Sequence, residues 1–328
     1  MTTIVQNSLG IDLPVAVWLA SNTYTGNVPG KSISATTLLR STQQQVLGLK
    51  CSKDPNIVEV VDISTLQKSR TGTALHESIQ NTWENDDLRI KGLKNLGFSD
   101  NKIEKVLVNP TEPKEGFYNM FFERRVQKEF NGWTITGQFD LVCNGTLHDF
   151  KSTSTYTYIN KTKEKDYIIQ GSIYRWLNPE LITSDVMVIN YIFTDWSAVT
   201  LKQGKENYPQ HPFVAIQLPL MSIAETENYM REKLDKIDSY LDGDIADLPP
   251  CDSKTLMMED VWQYFSSDTA LRASKNFTSN LEAQQYLASK GKGVIKKKAT
   301  EPKGCSYCNS RCICKQYQKF VEQGLIQG

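Results

Sequence analysis

No apolar run in these 328 residues approaches the roughly 20 that a membrane-spanning helix needs. The longest, from Val186 to Phe193, suits a buried strand, so a helical membrane protein is excluded. The opening MTTIVQNSLGIDLPVAVWLA lacks a basic segment followed by an unbroken apolar core, so no secretory signal is read and the cytosol is the expected compartment. Net charge is also missing: 37 Lys and Arg balance 37 Asp and Glu, and any attraction for a polyanion must come from local patches. There is no internal repeat of about 20–50 residues and no long Gly/Ser-rich or Pro-rich linker. What remains, with 39% hydrophobic residues, is a globular chain with ample core. Its seven cysteines are an odd number, and four crowd between Cys305 and Cys314. That pattern suits reduced metal ligands better than a disulfide framework.

The periodicities alternate between helix and strand. SISATTLLRSTQQQVLGLK, with Ser/Thr caps ahead of Leu38, Leu39, Val46, Leu47 and Leu49, predicts a helix. A second opens at TGTALHESIQNTWEN, where Leu75, Ile79 and Trp83 recur every four residues and His76 sits beside the stripe. From Trp133 the period becomes two: Trp133, Ile135, Phe139 and Leu141 point one way and Thr134, Thr136, Gln138 and Asp140 the other, as in a half-buried strand. Asn144-Gly145 signals a two-residue hairpin, which returns through Leu147 to Lys151. A helix at about residues 164–177 follows, then the apolar strand DVMVINYIFT. A long amphipathic helix comes next, opening on Ser222 and Glu225 as a capping box, with Ile223, Met230, Leu234, Ile237 and Leu241 as its core stripe. After Pro249-Pro250 come the helix-like NLEAQQYLASK, the lysine-rich KGKGVIKKK and the cluster GCSYCNSRCICKQY.

GQFDLVCNGTLHDFKST carries the chemistry. Asp140 and Asp149 lie on adjacent strands of one predicted hairpin, and Lys151 shares a face with Asp149. If both carboxylates face one side, they can hold one or two hard divalent cations, which prefer oxygen ligands. Lys151 would then orient an attacking water or help deprotonate it, while the cation neutralises charge building on a phosphoryl oxygen. Taken alone, an Asp-x-Lys triplet is a common surface pattern. His148 falls on the opposite strand face from Asp149 and reads as structural.

The order of GTALHESI on a helix, GQFD on a strand, a hairpin, DFKST, and a helix with QGSIY resembles the PD-(D/E)XK nuclease superfamily and its RecB-like exonuclease branch, which has phage-encoded and CRISPR-associated members. The four motifs span residues 72–174. The resemblance implies an α/β fold: a restriction-endonuclease-like core with a central mixed sheet flanked by helices, plus a C-terminal cysteine-containing accessory subdomain. The expected parts are 1–70, an N-terminal helical and strand segment; 71–248, the nuclease core; and 249–328, the accessory part. It implies a DNA exonuclease using Mg2+ or Mn2+ in replication, recombination or repair, in the host cytoplasm if phage-encoded. His76, Asp140, Asp149 and the Phe150 backbone carbonyl would bind metal, Lys151 would be the catalytic lysine, and Gln170 and Tyr174 would line a DNA channel. Glu123 in FFERRV resembles the acidic residue that many relatives carry on the preceding strand. The competing expectation is a catalytically silent nuclease fold that binds nucleic acid or a replication or recombination protein.

Iron-sulfur members of that family carry one N-terminal and three C-terminal cysteines. Cys305, Cys308 and Cys314 resemble the trio, and Cys312 is extra. Three readings stay open: an iron-sulfur cluster with Cys51 or Cys251 as fourth ligand, a zinc site on Cys305, Cys308, Cys312 and Cys314, or no metal. The lysines at 290, 292, 296, 297, 298 and 303 outnumber Glu301 by five. Such a run is usually a solvated face, and in a nuclease Lys296, Lys297 and Lys298 would contact DNA phosphates.

Overall fold

The computed structural model describes residues 2–21, 30–54, 56–258, 261–298 and 300–326. The chain divides into two compact units, one built from residues 5–39 and 62–235 and the other from 1–4, 40–61 and 236–328. No helix among the described residues is long and apolar enough to cross a membrane.

The first unit is mixed α/β. Its strands are β1 (Ser32–Ser34), β2 (Val106–Val108), β3 (Tyr118–Phe122), β4 (Arg125–Phe130), β5 (Trp133–Gln138), β6 (Leu141–Cys143), β7 (Thr146–Thr153), β8 (Val186–Phe193) and β9 (Phe213–Pro219). A six-stranded sheet runs in the order β9-β8-β7-β6-β3-β2, and a three-stranded sheet in the order β1-β5-β4. Both are mixed: β7 runs parallel to β8 and antiparallel to β6, while β5 runs parallel to β1 and antiparallel to β4. Its main helices are α1 (Gln67–Glu84), α2 (Glu164–Leu177) and the larger part of α3 (Ile223–Leu241), whose residues from Lys236 belong to the second unit.

The expected strand through WTITGQFDLVC is two strands in different sheets. β5 ends at Gln138 and β6 begins at Leu141, so Phe139 and Asp140 form a corner. The neighbouring chain turns with it: Glu123, between β3 and β4, takes a left-handed φ of 47° and donates its N–H to the Asp140 carbonyl at 3.1 Å. Periodicity could not reveal this, because burial keeps alternating through the corner while Phe139 stays fully buried. A left-handed φ is costly for a residue with a Cβ and is concentrated where geometry serves a site.

The hairpin follows its sequence signal. Asn144 and Gly145 have φ of 46° and 81°, the positive pair that a type I′ turn needs. Leu141 then pairs with His148, and Val142 with Leu147.

Helices cover both faces of β7. Tyr167 of α2 packs against Tyr191 of β8 with ring centroids 6.4 Å apart, on the side where Ile189 and Tyr191 lie opposite Asp149 and Lys151 in register. Gly171 allows this close approach, since a Cβ there would stand 2.4 Å from the Met187 sulfur. On the other face, the ring of His76 in α1 meets Phe150 edge-on at 6.0 Å. Beneath α1, Met120, Phe122 and Leu141 form a buried cluster against which Trp83 and Phe150 pack. The stripe expected of α1 is only half-buried. In α3, Met230, Leu234 and Ile237 are fully buried while Ile223 is exposed, because it occupies the first turn beyond the packed surface.

The helix expected through SISATTLLRSTQQQVLGLK is interrupted where the chain enters the second unit. A short helix, Ala35–Leu38, ends before Arg40, and a new one runs Thr42–Lys53. Ser41 and Gln44 form a reciprocal capping box that restarts it, and the chain changes unit between Leu39 and Arg40. The lysine-rich run is a strand: β10 (Val261–Phe265), β11 (Lys275–Phe277) and β12 (Val294–Lys298) form a sheet in the order β11-β10-β12, with α4 (Asn280–Lys290) between β11 and β12 in sequence.

Candidate active site

The corner at Asp140 and the left-handed turn at Glu123 bring two carboxylates to the half-buried His76. Ligand atoms of His76, Glu123 and Asp140 all lie within 4.8 Å of one another, and among the described residues no other group of three or more His, Cys, Asp or Glu does so. The three line a cleft of about 400 Å3 together with Arg125, Gln138 and Tyr174.

The histidine tautomer follows from its partners. His76 Nε2 lies 2.9 Å from the Phe150 carbonyl, which only accepts, so Nε2 carries the hydrogen. The lone pair is then on Nδ1, 3.6 Å from Asp140 Oδ1. Burial holds the imidazole pKa below its ordinary value, against the raising influence of Asp149, and so favours the neutral form. A neutral imidazole whose far N–H is tied to a carbonyl is the usual arrangement of a metal-ligating histidine. Asp140 Oδ2 accepts from the Phe150 N–H at 2.8 Å, leaving Oδ1 toward His76.

Both carboxylates are under electrostatic pressure. Asp140 is pushed well above its ordinary pKa, first by burial and then by the Asp149 charge. Glu123 is raised mainly by burial, opposed by the Gln138 side chain, which donates to Glu123 Oε2 at 2.7 Å. Arg125 Nε in turn donates to Gln138 Oε1 at 3.3 Å. Sequence reasoning placed Gln138 only on a polar strand face. Its signal was its position two residues before Asp140.

Asp149 stands outside the compact triad, 2% exposed, with Oδ2 2.6 Å from Lys151 Nζ. The two form a close, buried ion pair, with Asp149 also acting as a hydrogen-bond partner of the ammonium. Burial alone would lower the Lys151 pKa, but the charges of Asp149 and Asp140 outweigh it, so the ammonium holds its proton more firmly than usual. Its charge also lies 5.2 Å from the Tyr167 ring. Gln170 Nε2 donates to the Tyr174 hydroxyl at 2.8 Å. Tyr174 lines the cleft, and Gln170 stands behind it. His148 faces away from Asp149, with Nδ1 3.5 Å from Asn190 Nδ2.

A hard cation fits this donor set. Oxygens of Glu123 and Asp140 converge with the His76 ring, whose Nδ1 faces Asp140, a nitrogen-and-carboxylate set that suits a divalent cation.

Apart from Cys143 in β6, the cysteines fall into two sets, both in the second unit. Cys251, Cys305, Cys308 and Cys314 line one small cavity with Gln43, Leu256 and Tyr317. Ser41 Oγ lies 3.2 Å from the Cys251 sulfur, and Gln43 Nε2 donates to the Cys314 sulfur at 3.6 Å. Burial, reinforced by the neighbouring sulfurs, pushes the Cys305 thiol up to about 12. Cys312 does not line this cavity. It is hydrogen-bonded to Cys51, whose thiol is pushed up to about 11, chiefly by burial.

No family model matches this chain, and no curated protein matches it. Among solved structures, that of SSO0001 aligns with a TM-score of 0.39 and 13% identity over 64% of this chain and 79% of that one. A phage-related exonuclease from Haemophilus somnus 129PT aligns with a TM-score of 0.26 and 21% identity over 38% of this chain and 60% of that one. At these scores neither likeness establishes a fold or an activity for this protein.

Proposed function

We propose that this protein is a divalent-metal-dependent DNA nuclease of the PD-(D/E)XK superfamily, of its RecB-like exonuclease branch, with the first unit as a restriction-endonuclease-like core. The observation that carries the reading is the convergence of His76, Glu123 and Asp140 within 4.8 Å beside the buried Asp149–Lys151 pair. His76, Glu123 and Asp140 hold the cation, Mg2+ or Mn2+, with Asp149 completing its charge. When bound, the cation supplies Lewis-acid stabilisation of the negative charge that builds on a phosphoryl oxygen during phosphodiester hydrolysis.

The chain's own groups do the rest. Lys151, protonated because two carboxylates face it, orients the attacking water and offers positive charge to the phosphate; its raised pKa makes it a poor general base in the metal-free protein. Gln138 fixes the carboxylate of Glu123, and Phe150 fixes both His76 and Asp140 through its backbone. Tyr174, held by Gln170, forms the wall against which DNA lies. DNA is thus the partner, in a replication or recombination setting.

The reading extends to the second unit, where Cys251, Cys305, Cys308 and Cys314 hold an iron-sulfur cluster. The supporting observation is that the four line one cavity, while Cys312, the fourth thiol of the zinc reading, does not. A brown protein containing iron and sulfide is expected. A colourless one with stoichiometric zinc would remove this part of the reading.

The deciding experiment is degradation of end-labelled linear and covalently closed circular DNA with Mg2+ or Mn2+. Linear DNA should be shortened from its ends and closed circles spared, and Asp140→Ala and Lys151→Ala should abolish the reaction while near-UV circular dichroism stays native. Undiminished digestion by either variant rejects the site. DNA binding with no product under any divalent cation favours a silent binding module.

A further inference from the structure

The chain is electrically neutral, but the segment that forms β10, β11, α4 and β12 is not. Residues 261–298 hold Arg272 and Lys275, Lys290, Lys292, Lys296, Lys297 and Lys298 against Asp268 and Glu282, a net excess of five. The other residues therefore carry a net of minus five. A charge separated this sharply, inside a small sheet, marks a surface for a polyanion.

The two faces of this sheet differ. Residues opposite one another in antiparallel register share a face, so Tyr264 and Trp262 lie with Lys275, Phe277, Ile295 and Lys297. That face packs on α4: the rings of Tyr264 and Tyr286 meet edge-on at 5.0 Å, and Tyr264 is buried. The opposite face carries Gln263, Phe265, Asn276, Lys296 and Lys298. Gln263 Nε2 donates to Asn276 Oδ1 at 3.0 Å across it, and Lys296 Nζ stands 5.3 Å from the Phe265 ring. Lys296, Lys298 and Asn276 are exposed, while Gln263 and Phe265 are half-buried.

We infer that this face binds single-stranded nucleic acid. A half-buried aromatic ring beside ammonium groups offers a base something to stack on while the lysines meet the flanking phosphates. The paired amides of Gln263 and Asn276 supply donors and acceptors to base edges, as a plain lysine cluster does not. Duplex DNA would engage the lysines alone, its bases being stacked on one another. Lys296 Nζ pairs with the Asp268 carboxylate at 2.7 Å and donates to its carbonyl at 3.1 Å, but both side chains are exposed and such contacts exchange readily for a phosphate.

None of the metal-site residues takes part in this binding, so it stands apart from the nuclease chemistry. The full-length chain, in EDTA so that nothing is hydrolysed, is titrated into a fluorescein-labelled oligothymidylate of about 20 nucleotides, with a duplex of equal length and polyglutamate as competitors. Single strands should bind tightest. The double variant Lys296→Gln/Lys298→Gln should weaken binding by about tenfold or more and lower the salt slope by roughly 1.4, near 0.7 for each lysine–phosphate pairing removed. Phe265→Leu should weaken it by about fivefold or more with the salt slope unchanged. The idea is overturned if duplex or polyglutamate competes as well as single strands, or if the lysine variant binds like wild type. Binding is read in EDTA and hydrolysis separately with Mn2+, so failure of the nuclease reading and failure of this one give different results.

Discussion

His76 Nε2 and the Phe150 carbonyl oxygen are 2.9 Å apart, and this single contact decides which nitrogen of the cleft's histidine can bind a cation. With Nε2 donating, Nδ1 faces Asp140 and Glu123. Replacing the imidazole removes the one nitrogen ligand and also frees α1 from β7. We expect His76→Ala to weaken Mn2+ binding by roughly 10–100-fold, the usual scale for disturbing a metal site's shell. Calorimetric titration of Mn2+ into wild type and variant tests this, and equal affinities would exclude Nδ1 as a ligand.

A second prediction concerns the buried pair. Lys151→Met removes the cation that stands 2.6 Å from a carboxylate only 2% exposed, leaving Asp149 without its ammonium. Breaking such a pair from one side costs about 3–5 kcal/mol. Urea denaturation in EDTA should show that loss, and Mn2+ should return part of it by supplying positive charge to the same carboxylates. A variant as stable as wild type would mean that the ion pair contributes nothing to the stability of the fold.

Much of this arrangement was legible in the sequence. The hairpin at Asn144-Gly145, the shared face of Asp149 and Lys151, the helix at residues 164–177 and the Ser222–Glu225 box each depend on local rules, and each is present. The corner at Asp140 was not, because alternation continues across it and the turn is imposed by a neighbouring segment at Glu123. Glu123 itself was legible only as one acidic residue among basic ones. What gives it a place is a backbone hydrogen bond to a residue 17 positions away. The choice between Cys51 and Cys251 was equally hidden, since it depends on which segment packs against the C-terminal loop. Cys251 lines one cavity with Cys305, Cys308 and Cys314, whereas Cys51 hydrogen-bonds to Cys312 and Ser310.

Gly137 offers a test of how closely α2 must approach the site. A Cβ on Gly137 would stand 2.6 Å from Leu177 Cδ1 and 3.0 Å from two ring carbons of Tyr174. Gly137→Ala should cost about 1–3 kcal/mol by overpacking. It should also displace Tyr174 from the cleft wall, raising KM for DNA more than it lowers kcat. The double variant Gly137→Ala/Leu177→Ala, which makes room on one side, should regain stability. If it regains none, the close approach is not the cause.

The last prediction concerns pH, at a place remote from metal and thiols. Ser222 N and Oγ both donate to Glu225 Oε2, at 2.8 and 2.7 Å, and Ser222 Oγ accepts from Glu225 N at 3.2 Å. The Ser222 side chain first, then its backbone N–H, holds the Glu225 carboxyl below its ordinary pKa. The sign follows from proton uptake. Above the unfolded pKa both states are ionised and the box contributes in full; as pH falls toward the lower folded value, the unfolded chain takes up a proton first and the contribution is lost. Ser222→Ala should therefore destabilise the protein by about 1 kcal/mol at neutral pH, with a smaller difference at about pH 3.5. It should not vanish there, because the Ser222 Oγ to Glu225 N bond does not depend on ionisation. Chemical denaturation of both proteins at the two pH values measures this, and a difference that stays constant or grows in acid would show that the carboxylate is not part of the cap.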